Sequence, residues 1–231
     1  MLPKRWLLQN ELALRKLLAL RYSGQKHLCN VCGKGLSQFV LLATNDLLCP
    51  FCGSLPRNRR LWQVLNKQGV TGAVLDFSPS RCLYREMTKK GDVDYVSTDF
   101  AGEFEAQQSY DITDIPEPDS RFDWVVCYHV LEHVEDDQKA MSELFRVLKN
   151  GGKAIVQTPF KDGDIFEDTT IRTPKERLKY FGQEDHVRIY SVHGLKSRLE
   201  QVGFTVRVLE FDEPHDKLGL KESETILIAS K

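Results

Sequence analysis

Two short segments with one pattern, Cys29-Asn-Val-Cys32-Gly33 and Cys49-Pro-Phe-Cys52-Gly53, constrain this chain more than any other feature. Each sets two thiols on one tight turn, followed by a glycine that can enter the left-handed backbone region without a Cβ clash. The intervening residues 33 to 48 give the spacing of a single four-thiolate zinc site. Four sulfur ligands close the coordination shell, so such an ion is structural and activates no water. Its work would be to fold a segment too short to build a core. The metal candidates are therefore Cys29, Cys32, Cys49 and Cys52, in a zinc-ribbon module over residues 27–54. Between the knuckles, Ser37 to Leu42 predicts a short strand. Redox pairs are the other reading of C-x-x-C, but they belong more naturally at the start of a helix in a thioredoxin-like context. Cys82 and Cys127 stand alone and call for nothing beyond packing.

At 231 residues, 41% of them hydrophobic, the chain can hold one good-sized core plus such an appendage. The net charge of −1 conceals a polarity. Residues 1 to 70 carry eleven Lys and Arg against only Glu11 and Asp46, and the remainder is acidic. A basic front end can meet phosphates of nucleic acid or lipid headgroups, or dock on the chain's own acidic body. No run approaches the ~20 apolar residues of a membrane span, and the basic, interrupted start is not a signal peptide, so a cytoplasmic protein is expected. Residues 1–26 predict an N-terminal helix whose apolar positions (Leu2, Trp6, Leu7, Leu8, Leu12, Leu14, Leu17, Leu18, Leu20) cover more than one face. Packing on protein and peripheral membrane contact both suit that pattern. Residues 55–70, opening Leu55-Pro56-Arg57, predict a basic linker helix.

From residue 71 to 231 short apolar runs alternate with helical periodicity. Strands are expected at 73–77, 95–99, 124–128 and 154–158, a helix at 138–149, and two late strands at 204–209 and 225–229. This is the signature of an α/β, doubly wound, Rossmann-like and mostly parallel sheet, here with an antiparallel end. Ligands in such sheets sit beyond the carboxyl ends of the strands, which directs attention to residues 76 to 80, Asp99, Asp111 and the residues after Tyr128.

Five motifs then agree in order. Asp76 ends the first strand and Asp99 the second. Asp111-Ile112-Thr113-Asp114-Ile115-Pro116 follows, then Phe122-Asp123-Trp124-Val125-Val126-Cys127-Tyr128-His129-Val130-Leu131-Glu132-His133-Val134, and finally Arg146-Val147-Leu148-Lys149-Asn150-Gly151-Gly152. Over roughly Val74 to Phe204 the chain resembles the class I S-adenosylmethionine-dependent methyltransferases, those of type 11 among them. The resemblance implies that S-adenosylmethionine is the cofactor. It further implies that Asp76, Phe77, Ser78 and Pro79 form the first turn against it, that Asp99 takes the ribose hydroxyls, and that Asp111 and the Ile112 backbone read the adenine. Tyr128 and His129 then lie near the methyl group. Where the family usually has D-x-G-x-G, this chain has Asp76-Phe77-Ser78-Pro79-Ser80.

A sulfonium carries an activated methyl group, so the protein mainly aligns an acceptor and removes a proton. His129 and His186 are the candidate bases, each with a hydrogen-bonded structural histidine as the other reading, and His133 reads as structural. The stretch 159–190, charged and without sheet periodicity, reads as a lid or acceptor loop. Three functions stay open: a methyltransferase acting on a small-molecule or glycan acceptor, an RNA methyltransferase gripping phosphates with the basic ribbon, and a non-catalytic scaffold motivated by the missing glycines.

Overall fold

The computed structural model describes residues 10–212 and 217–231, with all side chains but that of Leu18. The expected apolar positions Leu2, Trp6, Leu7 and Leu8 lie outside the described residues. The chain forms two compact units. One holds the chain up to Val70 with Ser80–Lys90 and Phe211–Glu224; the other holds Thr71–Pro79, Gly91–Glu210 and Thr225–Lys231. Residues 80–90 and 211–224, expected within a 71–231 domain, thus cluster with the ribbon.

In the first unit, helix α1 (Glu11–Ala19) ends in a 3-10 turn at Leu20–Tyr22, and strand β1 (Ser23–Leu28) follows. The helix expected to run to residue 26 stops early because β1 pairs antiparallel with β2 (Gly35–Leu36). Strand β3 (Val40–Leu41) pairs with β4 (Leu47–Leu48). The expected strand 37–42 is therefore reduced to two residues: the Ser37 N–H turns away to the Tyr22 carbonyl at 2.8 Å. Helix α2 (Pro56–Gln68) begins with proline, which suits a position that has no intrahelical use for an N–H, and ends on left-handed Gly69. Helix α3 (Arg81–Met87) completes the unit.

Arg59 on α2 explains why the 217–224 segment joins the ribbon. It is fully buried and finds no carboxylate among the described residues; its guanidinium donates instead to four carbonyls, of Ser54 (2.7 Å), Leu47 (2.8 Å), Leu218 (2.7 Å) and Gly219 (2.6 Å). The next residue, Arg60, pairs with Glu224 at 3.0 Å and stacks over the Phe211 ring. A planar five-donor group can satisfy several carbonyls at once, which a lysine cannot.

The second unit is built on a six-stranded sheet. Its parallel part is β5 (Gly72–Phe77), flanked by β6 (Val93–Thr98) and β7 (Phe122–Tyr128), with β8 (Leu148–Gln157) beyond β7. Strand β12 (Glu224–Ser230) pairs antiparallel with β8, and β11 (Thr205–Phe211) forms the edge. The result is the expected Rossmann-like α/β sheet with an antiparallel end. Helix α4 (Asp137–Val147) is capped by the Asp136 side chain and buries Met141 and Leu144. Helix α6 (Val192–Val202) adds Leu195 and Leu199 to the same core as Val125, Cys127, Ala154 and Val156. The helix expected to reach 149 stops at Val147, because Leu148 already pairs with Phe122 as the first residue of β8.

The stretch 159–190 is more ordered than its sequence predicts. Strands β9 (Phe166–Glu167) and β10 (Arg188–Ile189) pair antiparallel around helix α5 (Pro174–Phe181), which Thr173 and Glu176 cap reciprocally. Two-residue strands are too short to leave a period in the sequence. No helix among the described residues is long and apolar enough to cross a membrane.

Candidate functional sites

The two knuckles fold alike. In each, the N–H of the final glycine bonds back to the first cysteine carbonyl, Gly33 to Cys29 at 2.8 Å and Gly53 to Cys49 at 2.9 Å, and both glycines have positive φ. The four sulfur atoms converge within 4.8 Å of one another. The pairs Cys29–Cys52 and Cys32–Cys49 stand 3.6 and 3.9 Å apart. A tetrahedron with Zn–S bonds of about 2.3 Å has edges of about 3.8 Å, so the donor set fits zinc. Thiol donors from Cys32, Cys49 and Cys52 hold Cys29 below the ordinary thiol range.

The second site is a cleft of about 690 Å3 at the carboxyl ends of β5, β6 and β7. The strands deliver Phe77 and Ser78, Asp99 and His129 to it, and the 110–113 segment adds Asp111 and Ile112. Of the residues expected there, Asp76, Pro79 and Tyr128 do not line it. Asp76 is buried and accepts from the Tyr95 hydroxyl at 2.8 Å; desolvation pushes its carboxyl up to about 7 against that hydrogen bond. Tyr128 is buried and meets the His129 ring edge-on.

The departure from the family's glycine-rich first turn acquires a physical meaning here. Ser78 has φ 49 and His129 has φ 59, both in the left-handed region that glycine usually occupies. At the first turn Ser78 thus adopts a backbone geometry that glycine would take without strain. Such strain costs about 1–3 kcal/mol per residue and persists where surrounding bonds over-determine it. The Ser78 N–H donates to the Thr98 carbonyl at 2.7 Å and its hydroxyl to Asp99 at 2.7 Å. The His129 N–H reaches the Gln157 carbonyl at 2.9 Å, and its Nδ1 lies 3.2 Å from Glu132.

Asp99 accepts from Ser78 on one oxygen and from the Glu103 and Phe104 N–H groups on the other, at 2.6 and 3.0 Å. A carboxylate offers about four acceptor positions, so two hydroxyls of a ribose would require one of these donors to yield. Asp111 spends one oxygen on both the N–H and the hydroxyl of Thr113, at 2.8 Å each, and its other oxygen has no partner among the described residues. Asp99 and Asp111 thus both present carboxylate acceptors to the cleft.

Sequence reading missed three features. Phe100, Phe104 and Tyr110 form an aromatic rim to the cleft. His133, expected to be structural, also lines it, next to Asp185 at 3.0 Å. Arg188, buried in β10, donates to the carbonyls of Leu131, Val134 and Glu135, and so stitches the 186–190 segment to the 131–135 turn. His186, the other expected base, does not line the cleft. It is buried against His133, ring to ring at 4.7 Å, and desolvation followed by the neighbouring His133 lowers its pKa. A run of exposed-looking charged residues concealed a buried arginine, and only an alignment of strands could have shown it.

A sequence model of the methyltransferase domain matches residues 55–209. An uncharacterized protein of Methanocaldococcus jannaschii is 35% identical over 114 residues, covering 46% of this chain and 50% of its own length. An O-methyltransferase of Aspergillus nomiae is 26% identical over 152 residues, covering 66% of this chain and 59% of its own. The chain thus matches about half the length of these relatives. Among solved structures, a SAM-dependent methyltransferase from Archaeoglobus fulgidus shares the fold with a TM-score of 0.58 at 17% identity, over 76% of this chain and 93% of its own. With the matched domain spanning more than half of the sequence, the chain belongs to the methyltransferase-domain family.

Proposed function

We propose that the protein binds S-adenosylmethionine in the 690 Å3 cleft and methylates a small-molecule or glycan acceptor, while a structural zinc ion held by Cys29, Cys32, Cys49 and Cys52 orders the ribbon. The observation that carries the reading is the pair of left-handed, non-glycine residues Ser78 and His129, on neighbouring strand ends and facing one cleft. Strain of this kind is retained where a ligand must be approached closely. Bound there, the cofactor supplies a methyl group already activated by its sulfonium. Asp99 holds the ribose, Asp111 and the Ile112 backbone hold the adenine, and the aromatic rim shields the adenosine from water. His129, braced by Glu132 through Nδ1, presents its other ring nitrogen as a proton acceptor for an acceptor hydroxyl or amine.

The basic charge of the first unit argues less for RNA than its count suggests. Arg59 is consumed by carbonyls, Arg60 by Glu224 and Arg15 by Glu11, so part of that charge is structural. A relative named as an ajmaline N-methyltransferase of Rauvolfia serpentina supports a small-molecule acceptor. Isothermal titration with S-adenosylmethionine and its demethylated product tests the reading: binding is expected, and Asp99→Ala should weaken it at least ~10-fold, as loss of hydrogen bonds to a charged group would. No binding by the unaltered chain would replace this reading with a non-catalytic scaffold.

A further inference from the structure

Beside the cleft lies a set of side chains of which methyl transfer as derived above uses only one oxygen of Glu132, to brace His129. Glu132, on the 3-10 turn Leu131–His133, is 1% exposed, and His186, just before β10, is 4% exposed. Glu132 Oε2 and His186 Nε2 are both buried without a hydrogen-bond partner among the described residues. His133 stands between them, and each of the three residues brings a ligand atom within 4.8 Å of the others.

A buried polar atom left without a partner costs about 1–3 kcal/mol, and more when it is charged. Here two residues of one three-membered cluster each carry such an atom, and they do not satisfy one another by a direct hydrogen bond. The cluster is also rich in negative charge. Glu132 and Asp185 bring two carboxylates, and the groups facing them are the imidazoles of His129, His133 and His186. The buried cation nearby, Arg188, is committed to the carbonyls of Leu131, Val134 and Glu135 and to the Glu167 carboxylate, and does not neutralise Glu132.

We propose that Glu132, His133 and His186 form a second metal site, for a divalent first-row transition ion, at the wall of the cleft. Two imidazoles and one carboxylate match the ligand preference of zinc, cobalt, nickel or iron better than that of magnesium or calcium, which take oxygen. Three protein ligands leave coordination positions open. His133 and Asp185 line the cleft, so the ion borders it. Asp185, 3.0 Å from His133 Nδ1, orients that ring as carboxylates commonly orient ligating histidines. Arg188 acts as a positioning residue, since its three carbonyl contacts bring His186 to the Glu132 turn.

Cobalt(II) separates this site from the cysteines, because thiolate ligands produce sulfur-to-metal charge-transfer absorption and histidine–carboxylate ligands do not. The full chain, with its cysteine site loaded with zinc, is titrated with Co2+ by calorimetry and visible spectroscopy. One further equivalent is expected, without thiolate charge transfer. His186→Gln and Glu132→Gln should weaken it at least ~10-fold, and the exposed Asp185→Asn, which cannot unfold the core, should weaken it less. No further equivalent, one bearing thiolate bands, or one indifferent to all three substitutions would overturn the site and leave water as the bridge between Glu132 and His186. Titration without cofactor keeps the result separate: a chain that takes cobalt but not S-adenosylmethionine would fail the methyl-transfer reading alone.

Discussion

The cysteine ribbon and the cleft proposed for the cofactor would solve the same problem, holding a small charged ligand, with opposite economies of sequence. The ribbon draws its four sulfurs from two turns of identical hydrogen bonding, each closed within five residues. The cleft draws on three strand ends and a loop spread from Phe77 to Asp185. A local site is specified by spacing and survives any rearrangement of its surroundings that leaves the two turns intact. A distributed site exists only once the sheet has set the order of its strands. The contrast teaches that the ribbon should fail by losing its fold, whereas the cleft should fail by losing its ligand.

The largest effect tests the first half of that contrast. Cys32→Ser, or removal of the metal by a chelator, should unfold the ribbon, since structural zinc contributes on the order of 10 kcal/mol in small domains. Metal analysis should fall from one ion to none at that site, and proteolysis should cut between residues 27 and 54 while the sheet unit stays protected. Survival of the ribbon without metal would make Arg59 its main organiser. Arg59→Met therefore comes second. Leaving four buried carbonyls without their donor should cost about 3–5 kcal/mol, read as a lower denaturant midpoint, and Arg59→Lys should recover only part of it.

A third effect belongs to the sheet and depends on pH. Asp76 has a carboxyl raised to about 7 by burial. An acid whose pKa is higher folded than unfolded binds its proton more tightly in the native state. Stability is then fullest below pH about 4 and declines as pH rises through about 7, by roughly a few kcal/mol. Asp76→Asn should flatten that slope and raise the urea midpoint at pH 8 relative to the unaltered chain, with little change at pH 4. The smallest effect is at the first turn. Ser78→Gly relieves left-handed strain of about 1 kcal/mol but gives up the hydroxyl bond to Asp99, so stability should move by less than about 1 kcal/mol. Cofactor affinity that stays within a few-fold would show that backbone shape, not the glycine itself, is what the turn requires.

Much of this was legible beforehand. The parallel strands and their helices were visible because buried strands read as apolar runs and α4 repeats its apolar residues at three- and four-residue steps. Asp99, Asp111 and His129 were found by motif and do meet in one cleft. Asp76 and Tyr128 carried the same motif weight, but burial takes their side chains elsewhere. The β9–β10 pair escaped notice because each strand is two residues long. His133 was read as a structural histidine, yet tertiary contact sets it at the cleft beside His186, fifty-three residues away.

By itself the sequence determined the clustering of the four cysteines, the sheet class and the family, since each is written in local spacing and periodicity that need no partner from afar. Tertiary structure decided which carboxylates stay available to a ligand, that Ser78 and His129 adopt glycine's backbone geometry, and that Glu132, His133 and His186 converge. Those outcomes depend on burial and on long-range hydrogen bonds, such as the one tying the Val187 N–H to the Glu132 carbonyl. Residues brought together only by chain closure leave no common period for a sequence to display.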